Sequence, residues 1–173
     1  MRICGIDPGL KGAIAFADVT ASGFSRITVY DMPVSDLVDG RDQPCEDGIL
    51  NIFDAEKPQM TVVEHVGPRP RSGSASEWRF AMGFGALRGC LRAWFRAQGA
   101  GPGVHLVTPK VWKSALSLNQ DKGESLALAR SAFPAMSGAL ARQKDDGRAE
   151  ALLLLEYYRR VLMPAGSDGI EVC

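Results

Sequence analysis

Five short apolar stretches along the chain predict five β-strands. They are rich in β-branched residues or alternate in polarity, and they lie at residues 2–7, 12–17, 26–31, 60–65 and 104–107. Asp7-Pro8-Gly9 is a turn sequence, so the first two strands are predicted to form a hairpin. Residues 33–44 and 67–76 are rich in Pro and Gly together with Asp or Ser, and they are predicted to be loops.

Apolar residues spaced three or four positions apart predict helices between and after these strands. The clearest repeat covers residues 77–98 and consists of Phe80, Phe84, Leu87, Leu91 and Trp94. Further helices are predicted at residues 45–56, from Thr108-Pro109 onward, from Asp121 to Phe133 and at residues 145–163. Thr108 and Pro109 are typical of a helix start. Pro134 ends the helix predicted from Asp121 to Phe133.

The order of these elements is three strands, a helix, a strand, a helix, a strand and the remaining helices. This order predicts an α/β fold, with a five-stranded mixed sheet flanked by helices. The glycine fingerprint of a parallel dinucleotide-binding domain is absent after the first strand. The 173 residues suit one domain, predicted to span residues 1–163 with a tail at 164–173.

No apolar run approaches the ~20 residues that a membrane helix needs. The N-terminal sequence MRICGIDPGLKG also lacks the apolar core of a signal peptide. We therefore expect no membrane association and a cytoplasmic location.

Small residues repeat every four positions in the helix predicted at residues 77–98. Ala81, Gly85 and Gly89 share one face and form a smooth ridge. Each glycine weakens a helix by about 1 kcal/mol relative to alanine. We therefore expect the ridge to pack closely against either the sheet or a partner subunit.

Charge is unevenly distributed although the chain is neutral, with 20 basic and 20 acidic residues. Residues 66–130 contain ten Lys or Arg and three acids, so this middle region is net +7 and the rest is net −7. A basic region beside acidic segments suits a phosphate-binding surface next to an acidic site. Solvated helix faces would explain the same distribution equally well.

Four acids are predicted to lie at the ends of buried elements. Asp7 ends the first strand, Glu64 lies near the end of the fourth, and Asp146 and Glu150 share a face in the first turns of the last helix. A carboxylate at the end of an apolar strand is costly unless it is compensated, and hard oxygen ligands favour Mg²⁺ or Mn²⁺. Taken singly, each acid could instead be a turn, ion-pairing or helix-capping residue.

This pattern resembles the RuvC-like Holliday junction resolvases of the ribonuclease H-like superfamily, over roughly residues 3–160. The matching motifs are Ile6-Asp7-Pro8-Gly9, Val63-Glu64, the helix segment from Phe84 to Gly89, the segment from Thr108 to Lys113 followed by Lys122, and Asp146-Gly-Arg-Ala-Glu-Ala-Leu152. The resemblance implies a ribonuclease H-like fold and an endonuclease that resolves four-way DNA junctions by paired nicks.

The resemblance also implies a homodimer and two Mg²⁺ or Mn²⁺ ions per site, held by Asp7, Glu64, Asp146 and Glu150. We expect the phosphates of branched DNA to be contacted by Arg69, Arg71, Lys110, Lys113 and Lys122. The usual closing spacing in the family is i, i+3, whereas Asp146 and Glu150 are four apart. Asp145 would be rotated away from Glu150 and is ranked behind Asp146.

The chain has no aromatic residue soon after Glu64, where many resolvases carry one that wedges into the junction. Trp78 or Phe80 could replace it, although core packing of the long helix is the favoured explanation for both. Three other functions fit the residues: a nuclease for other branched or flapped DNA, a ribonuclease H-like nucleotide-binding domain, and a non-catalytic DNA-binding module.

Overall fold

The computed structural model describes residues 1–36, 42–67, 73–99, 103–119 and 122–165. Five strands form the main sheet: β1 (Arg2–Asp7), β2 (Ala13–Thr20), β3 (Gly23–Asp31), β6 (Met60–Glu64) and β7 (Val104–Val107). Two short strands, β4 (Val34–Asp36) and β5 (Asp42–Pro44), pair only with each other among the described strands.

The main sheet has the strand order β3-β2-β1-β6-β7 and is mixed. β1 pairs antiparallel with β2, which confirms the predicted hairpin, and β2 pairs antiparallel with β3. β6 lies parallel to β1, and β7 lies parallel to β6. The predicted five-stranded mixed sheet is therefore confirmed, and its three parallel strands end at the same edge.

Helices cover both faces of the sheet. One face carries α1 (Glu46–Glu56) and α2 (Ser74–Ala97), which bury Phe53 and Leu91 against Ile6 and Phe16. The other face carries α3 (Pro109–Ala115), α4 (Lys122–Ala132) and α5 (Asp146–Tyr157). None of the helices within the described ranges is long and apolar enough to cross a membrane.

α5 approaches β1 more closely than a side chain would allow. Gly5 lies in the middle of β1, and a Cβ atom at this position would overlap the carbonyl oxygen of Ala151. The four residues of α5 that follow Ala151, Leu152 to Leu155, are fully buried. Gly5 therefore sets the distance between the central strand and the helix that carries two of the candidate acids.

Several element boundaries differ from the sequence predictions. The predicted loop 33–44 contains β4 and β5, whose three residues each are too few to give a recognisable pattern. α2 begins at Ser74 rather than residue 77, because Gly73 provides the N-cap and the following small residues continue the helix. The predicted helix 145–163 is α5 followed by a π-helical turn, Tyr158–Leu162, and a short turn, Met163–Ala165.

The small-residue ridge of α2 does not pack on the sheet. Ala81, Gly85 and Gly89 are exposed, and Cβ atoms at the two glycines would meet nothing within 4 Å among the described residues. The apolar face that packs on the sheet is instead formed by Phe84, Leu87 and Leu91. Of the two expected neighbours, the sheet is thereby excluded and a partner subunit remains a prediction.

We expect Gly5→Val to lower the free energy of unfolding by about 1–3 kcal/mol, since overpacking forces α5 away from β1. Gly138→Ala is the matched control, because a Cβ there meets nothing within 4 Å and surface changes stay within roughly 0.5 kcal/mol. Urea denaturation of both variants measures the difference. Equal stability of the Gly5 variant and the wild type would contradict the close approach.

Candidate active site

Two of the predicted acids end neighbouring parallel strands. The last registered pair between β1 and β6 is Ile6 with Val63, and the next residues are Asp7 and Glu64. Because parallel strands end at the same edge, both carboxylates project from one end of the sheet. Glu64 is buried and Asp7 is partly buried.

The first turns of α5 bring the other two acids to the same edge. Asp146 and Glu150 lie on one helical face and both line the cleft that contains Asp7 and Glu64. Gly147, between them, touches the turn after β1: a Cβ atom there would overlap the carbonyl oxygen of Lys11. The start of α5 is thus seated directly on the β1–β2 turn.

Three carboxylates form a compact cluster. Asp7, Glu64 and Glu150 each offer an oxygen atom, and these atoms lie within 4.8 Å of one another. Asp146 lies in the same cleft but outside this group of three. The structure therefore brings together all four predicted acids, three of them at a spacing that one cation can bridge.

Two residues of α3 neutralise or hydrogen-bond the acids. The indole Nε1 of Trp112 donates to Glu64 Oε1 at 3.0 Å, and Lys113 Nζ forms an ion pair with Glu150 Oε1 at 2.6 Å. Sequence reasoning assigned Lys113 to phosphate and gave Trp112 no role. The available signal was topological: α3 follows β7, which is parallel to β6, so α3 begins at the edge where Glu64 lies.

The clustered carboxylates perturb each other. Burial, followed by repulsion from Glu64 and then Glu150, raises the pKa of Asp7 to about 7, although the backbone N–H of Gly9 donates to it. Without a bound cation, Asp7 therefore carries a proton over much of the range in which an ordinary aspartate is ionised. A cation that binds this cluster would therefore displace the proton of Asp7.

Asp145 has a different environment from its neighbour Asp146. Its buried carboxylate accepts hydrogen bonds from the Arg142 guanidinium at 2.7 Å and from the Arg142 backbone N–H at 2.7 Å. These contacts hold the pKa of Asp145 below its usual value. Asp145 thus fixes the turn before α5. This placement favours Asp146 over Asp145 as a metal ligand, which stays a prediction.

The predicted DNA-contacting residues are distributed unevenly. The cleft has a volume of about 940 Å³, and Lys113 lines it together with Lys11 and Arg79, which the sequence interpretation had not included. Lys110 is exposed on the first turn of α3, and Lys122 is the first residue of α4. Arg69 and Arg71 lie outside the described residues.

Aromatic rings form a row along one wall of the cleft. His65 stacks on Phe84 with ring centroids 5.6 Å apart, and Phe84 stacks on Phe80 at 6.1 Å. Phe80 and Phe84 both line the cleft. Trp78 is 67% exposed and lies one helical turn from Met82, which is also exposed. Of the two proposed wedge residues, Phe80 therefore faces the cleft, and Trp78 is available at the surface.

Solved structures of RuvC and of a poxvirus resolvase share this architecture. No protein-family model matches the sequence, and no curated protein matches it. Thermus thermophilus RuvC in complex with a Holliday junction substrate superposes with a TM-score of 0.56 at 16% identity, covering 92% of this chain and 96% of that one. Fowlpox virus resolvase in complex with Holliday junction DNA gives a TM-score of 0.56 at 15% identity, covering 94% and 99%.

The chain has the RuvC-like fold. The match extends over nearly the whole of both chains, so the predicted ribonuclease H-like architecture is confirmed. At these identities the likeness establishes the fold, and the chemistry must come from the residues themselves.

The donor set at the edge of this RuvC-like sheet fits divalent cations. All four acids supply hard oxygen ligands, the kind that Mg²⁺ and Mn²⁺ prefer. No histidine or cysteine belongs to the cluster formed by the described residues. Asp7, Glu64, Asp146 and Glu150 are therefore the residues that would hold the ions.

We expect Asp7→Asn to stabilise the metal-free protein at pH 8 but not at pH 4. The carboxyl titrates near 3.8 when unfolded and at about 7 when folded, so the folded state binds more protons in this window and the free energy of unfolding falls as pH rises. The gain at pH 8 is roughly 1.4 kcal/mol for each unit of pKa shift. Thermal unfolding in EDTA at pH 4, 6 and 8 measures it.

Asp145→Asn is the control with the opposite sign. Its pKa is lowered in the folded state, so the variant should be less stable than the wild type at pH 8 and approach it in acid. A stability difference between Asp7→Asn and the wild type that does not grow from pH 4 to pH 8 would contradict the electrostatic description of the site.

Proposed function

We propose that the protein is a metal-dependent endonuclease that resolves four-way DNA junctions by paired, symmetric nicks. The observation that carries the proposal is the convergence of Asp7, Glu64, Asp146 and Glu150 in one cleft of a RuvC-like fold. Both solved structures described above are junction-bound resolvases with the same fold. The proposed substrate is therefore branched DNA with four arms.

The proposed chemistry is phosphodiester hydrolysis at two bound cations. Two Mg²⁺ or Mn²⁺ ions held by the four acids would activate the attacking water and stabilise the leaving 3′ oxygen. The residues of the chain place and neutralise the ligands: Trp112 orients Glu64, and Lys113 compensates Glu150. Once a cation neutralises Glu150, the Lys113 ammonium can contact a phosphate oxygen instead, as the sequence interpretation expected.

The cleft surface fits a nucleic-acid backbone beside the acids. Lys11, Arg79 and Lys113 supply positive charge within the cleft, and Lys110 and Lys122 lie in the first turns of the two helices that follow β7. Arg69 and Arg71 follow Glu64 closely in sequence. These residues form the proposed phosphate-binding set, which contributes affinity and little sequence preference.

A symmetric substrate calls for a symmetric enzyme, and we infer a homodimer. A four-way junction is roughly two-fold symmetric, so a two-fold dimer can place two active sites on opposed strands. The exposed ridge of α2 suits such contact because its small residues are spaced symmetrically about Gly85, with Ala81 and Gly89 four residues away on either side. Two antiparallel copies centred on Gly85 would place Trp78 opposite Arg92 of the second copy.

We expect Gly85→Leu to dissociate the dimer without unfolding the chain. The added side chain has open space within one chain but would separate two closely packed helices. Sedimentation-velocity centrifugation at tens of micromolar protein measures the mass, with Gly138→Leu as the control at another open glycine. A dimeric Gly85 variant would contradict the ridge as the interface, and a monomeric wild type would contradict the homodimer.

A cleavage panel tests the proposed activity. Four-way junction, three-way junction, flap and duplex DNA are compared with Mg²⁺, Mn²⁺ or EDTA at one salt concentration, because DNA binding falls steeply with salt. We expect metal-dependent, paired nicks on the four-way junction. Preferential cutting of flaps or three-way junctions would contradict the junction assignment, and no metal-dependent cutting of any substrate would contradict the nuclease.

Variants of the acids connect that activity to the site. Asp7→Asn, Glu64→Gln and Glu150→Gln should each lower the cleavage rate by roughly 100-fold or more, since each removes a ligand charge that stabilises the transition state. Junction binding by Asp7→Asn should be retained or tightened. Asp145→Asn should retain activity when assayed well below its melting temperature. An essential Asp145 together with a dispensable Asp146 would contradict the ligand set.

A further inference from the structure

Arg148 ties the acid-bearing helix to the edge strand of the sheet. It lies between Asp146 and Glu150 on α5, and residues two apart do not share a helical face. Its Nε and Nη2 atoms donate to the two carboxylate oxygens of Asp31 at 2.6 and 2.7 Å, forming a fork on the last residue of β3. Its third nitrogen, Nη1, donates to the carbonyl oxygen of Ala139 at 3.2 Å.

The position of Asp31 connects this fork to the cluster through the backbone. Asp31 pairs with Ala13 across β3 and β2, and Ala13 pairs with Asp7 across β2 and β1. Arg148 is therefore anchored to the row of the sheet that carries Asp7. On the other side, Gly147 seats α5 on the β1–β2 turn. The contacts of Gly147 and Arg148 thus fix the distance of the first turn of α5 from the sheet and its rotation about the helix axis.

The fork is poorly suited to be a stabilising ion pair. The side chain of Asp31 is 69% exposed, and exposed ion pairs contribute little to stability. Its geometry is nevertheless bidentate, the arrangement that confers the most directional control. The carboxylates of α5 repel Asp7 on β1, so a contact that anchors α5 to the sheet opposes their separation.

We propose that Arg148, acting with Asp31, is a positioning residue that holds Asp146 and Glu150 at metal-binding distance from Asp7 and Glu64. The proposal rests on the metal centre of the proposed function. Neither residue belongs to the carboxylate cluster that would hold the ion. Each acts by orienting the helix that supplies two of its ligands, and residues that orient metal ligands commonly change metal affinity by about 10–100-fold when mutated.

The test measures Mn²⁺ binding to the DNA-free protein by isothermal titration calorimetry, with thermal unfolding in EDTA as the companion measurement. We expect Arg148→Ala and Asp31→Ala each to weaken Mn²⁺ binding about 10-fold. Because the two residues form one contact, the double variant should lose no more than either single variant. Melting temperatures should fall by only about 2–4 °C, the shift expected for losing one weak contact in a chain of this size.

Arg160→Ala is the matched control. Arg160 also forms an ion pair, with Glu156, but at the opposite end of α5, so the variant should bind Mn²⁺ as the wild type does. Arg148→Ala binding Mn²⁺ with wild-type affinity would overturn the positioning role alone. Losses that multiply in the double variant would show two independent effects and would also overturn it. A wild type that binds no Mn²⁺ would overturn the metal centre itself.

Should Arg148→Ala fail to fold, Asp31→Ala provides the same comparison, because it leaves the Arg148 hydrogen bond to Ala139 in place. Wild-type Mn²⁺ affinity of that variant would overturn the proposal, and a 10-fold loss would support it.

Discussion

Electrostatic repulsion among carboxylates gathered at one end of the sheet is the constraint on which the rest of this structure depends. Asp7, Glu64 and Glu150 come within 4.8 Å of one another, and such a group is unfavourable unless the fold holds it and a positive charge compensates it. The glycine contacts at positions 5 and 147 fix the helix against the strand and the turn. Without a cation, the protonation of Asp7 and the ammonium of Lys113 relieve part of the repulsion.

The same constraint connects the fold to its proposed chemistry. A site that is strained by negative charge gains stability from divalent cations, and those cations are what phosphodiester hydrolysis needs. The carboxylates would also repel a phosphate backbone in the absence of metal. Positive residues around the cleft, including Lys11 and Arg79, offset this repulsion for approaching DNA. Metal binding and substrate binding are therefore expected to reinforce each other.

Much of the fold could be predicted from local patterns. The β1–β2 hairpin, the strands β6 and β7 and the long helix α2 follow from apolar periodicity and turn residues. The positions of Asp7 and Glu64 at strand ends could also be predicted, whereas the pairing of β1 with β6, which brings the two acids together, is visible only in the structure. Local sequence carries less information about short elements such as β4 and β5, which pair with each other over only three residues each.

Contacts between distant segments were the part that sequence patterns could not supply. The hydrogen bond from Trp112 to Glu64 joins residues 48 positions apart, and the fork from Arg148 to Asp31 joins residues 117 apart. The α2 ridge shows a second limit of prediction from sequence, which concerns the face that a helix turns toward the sheet. Its spacing correctly identified a smooth surface, but only the packing of Phe84 and Leu87 decides which face of the helix meets the sheet.

A crystal structure with Mn²⁺, using anomalous scattering to locate the ions, tests the metal centre most directly. We expect anomalous peaks within roughly 2–2.5 Å of carboxylate oxygens, the usual distance for hard cations, with Asp7, Glu64 and Glu150 among the ligands. Lys113 should then have moved away from Glu150. An empty carboxylate cluster at millimolar Mn²⁺, with the Lys113–Glu150 ion pair intact, would contradict the claim that these acids form a metal centre.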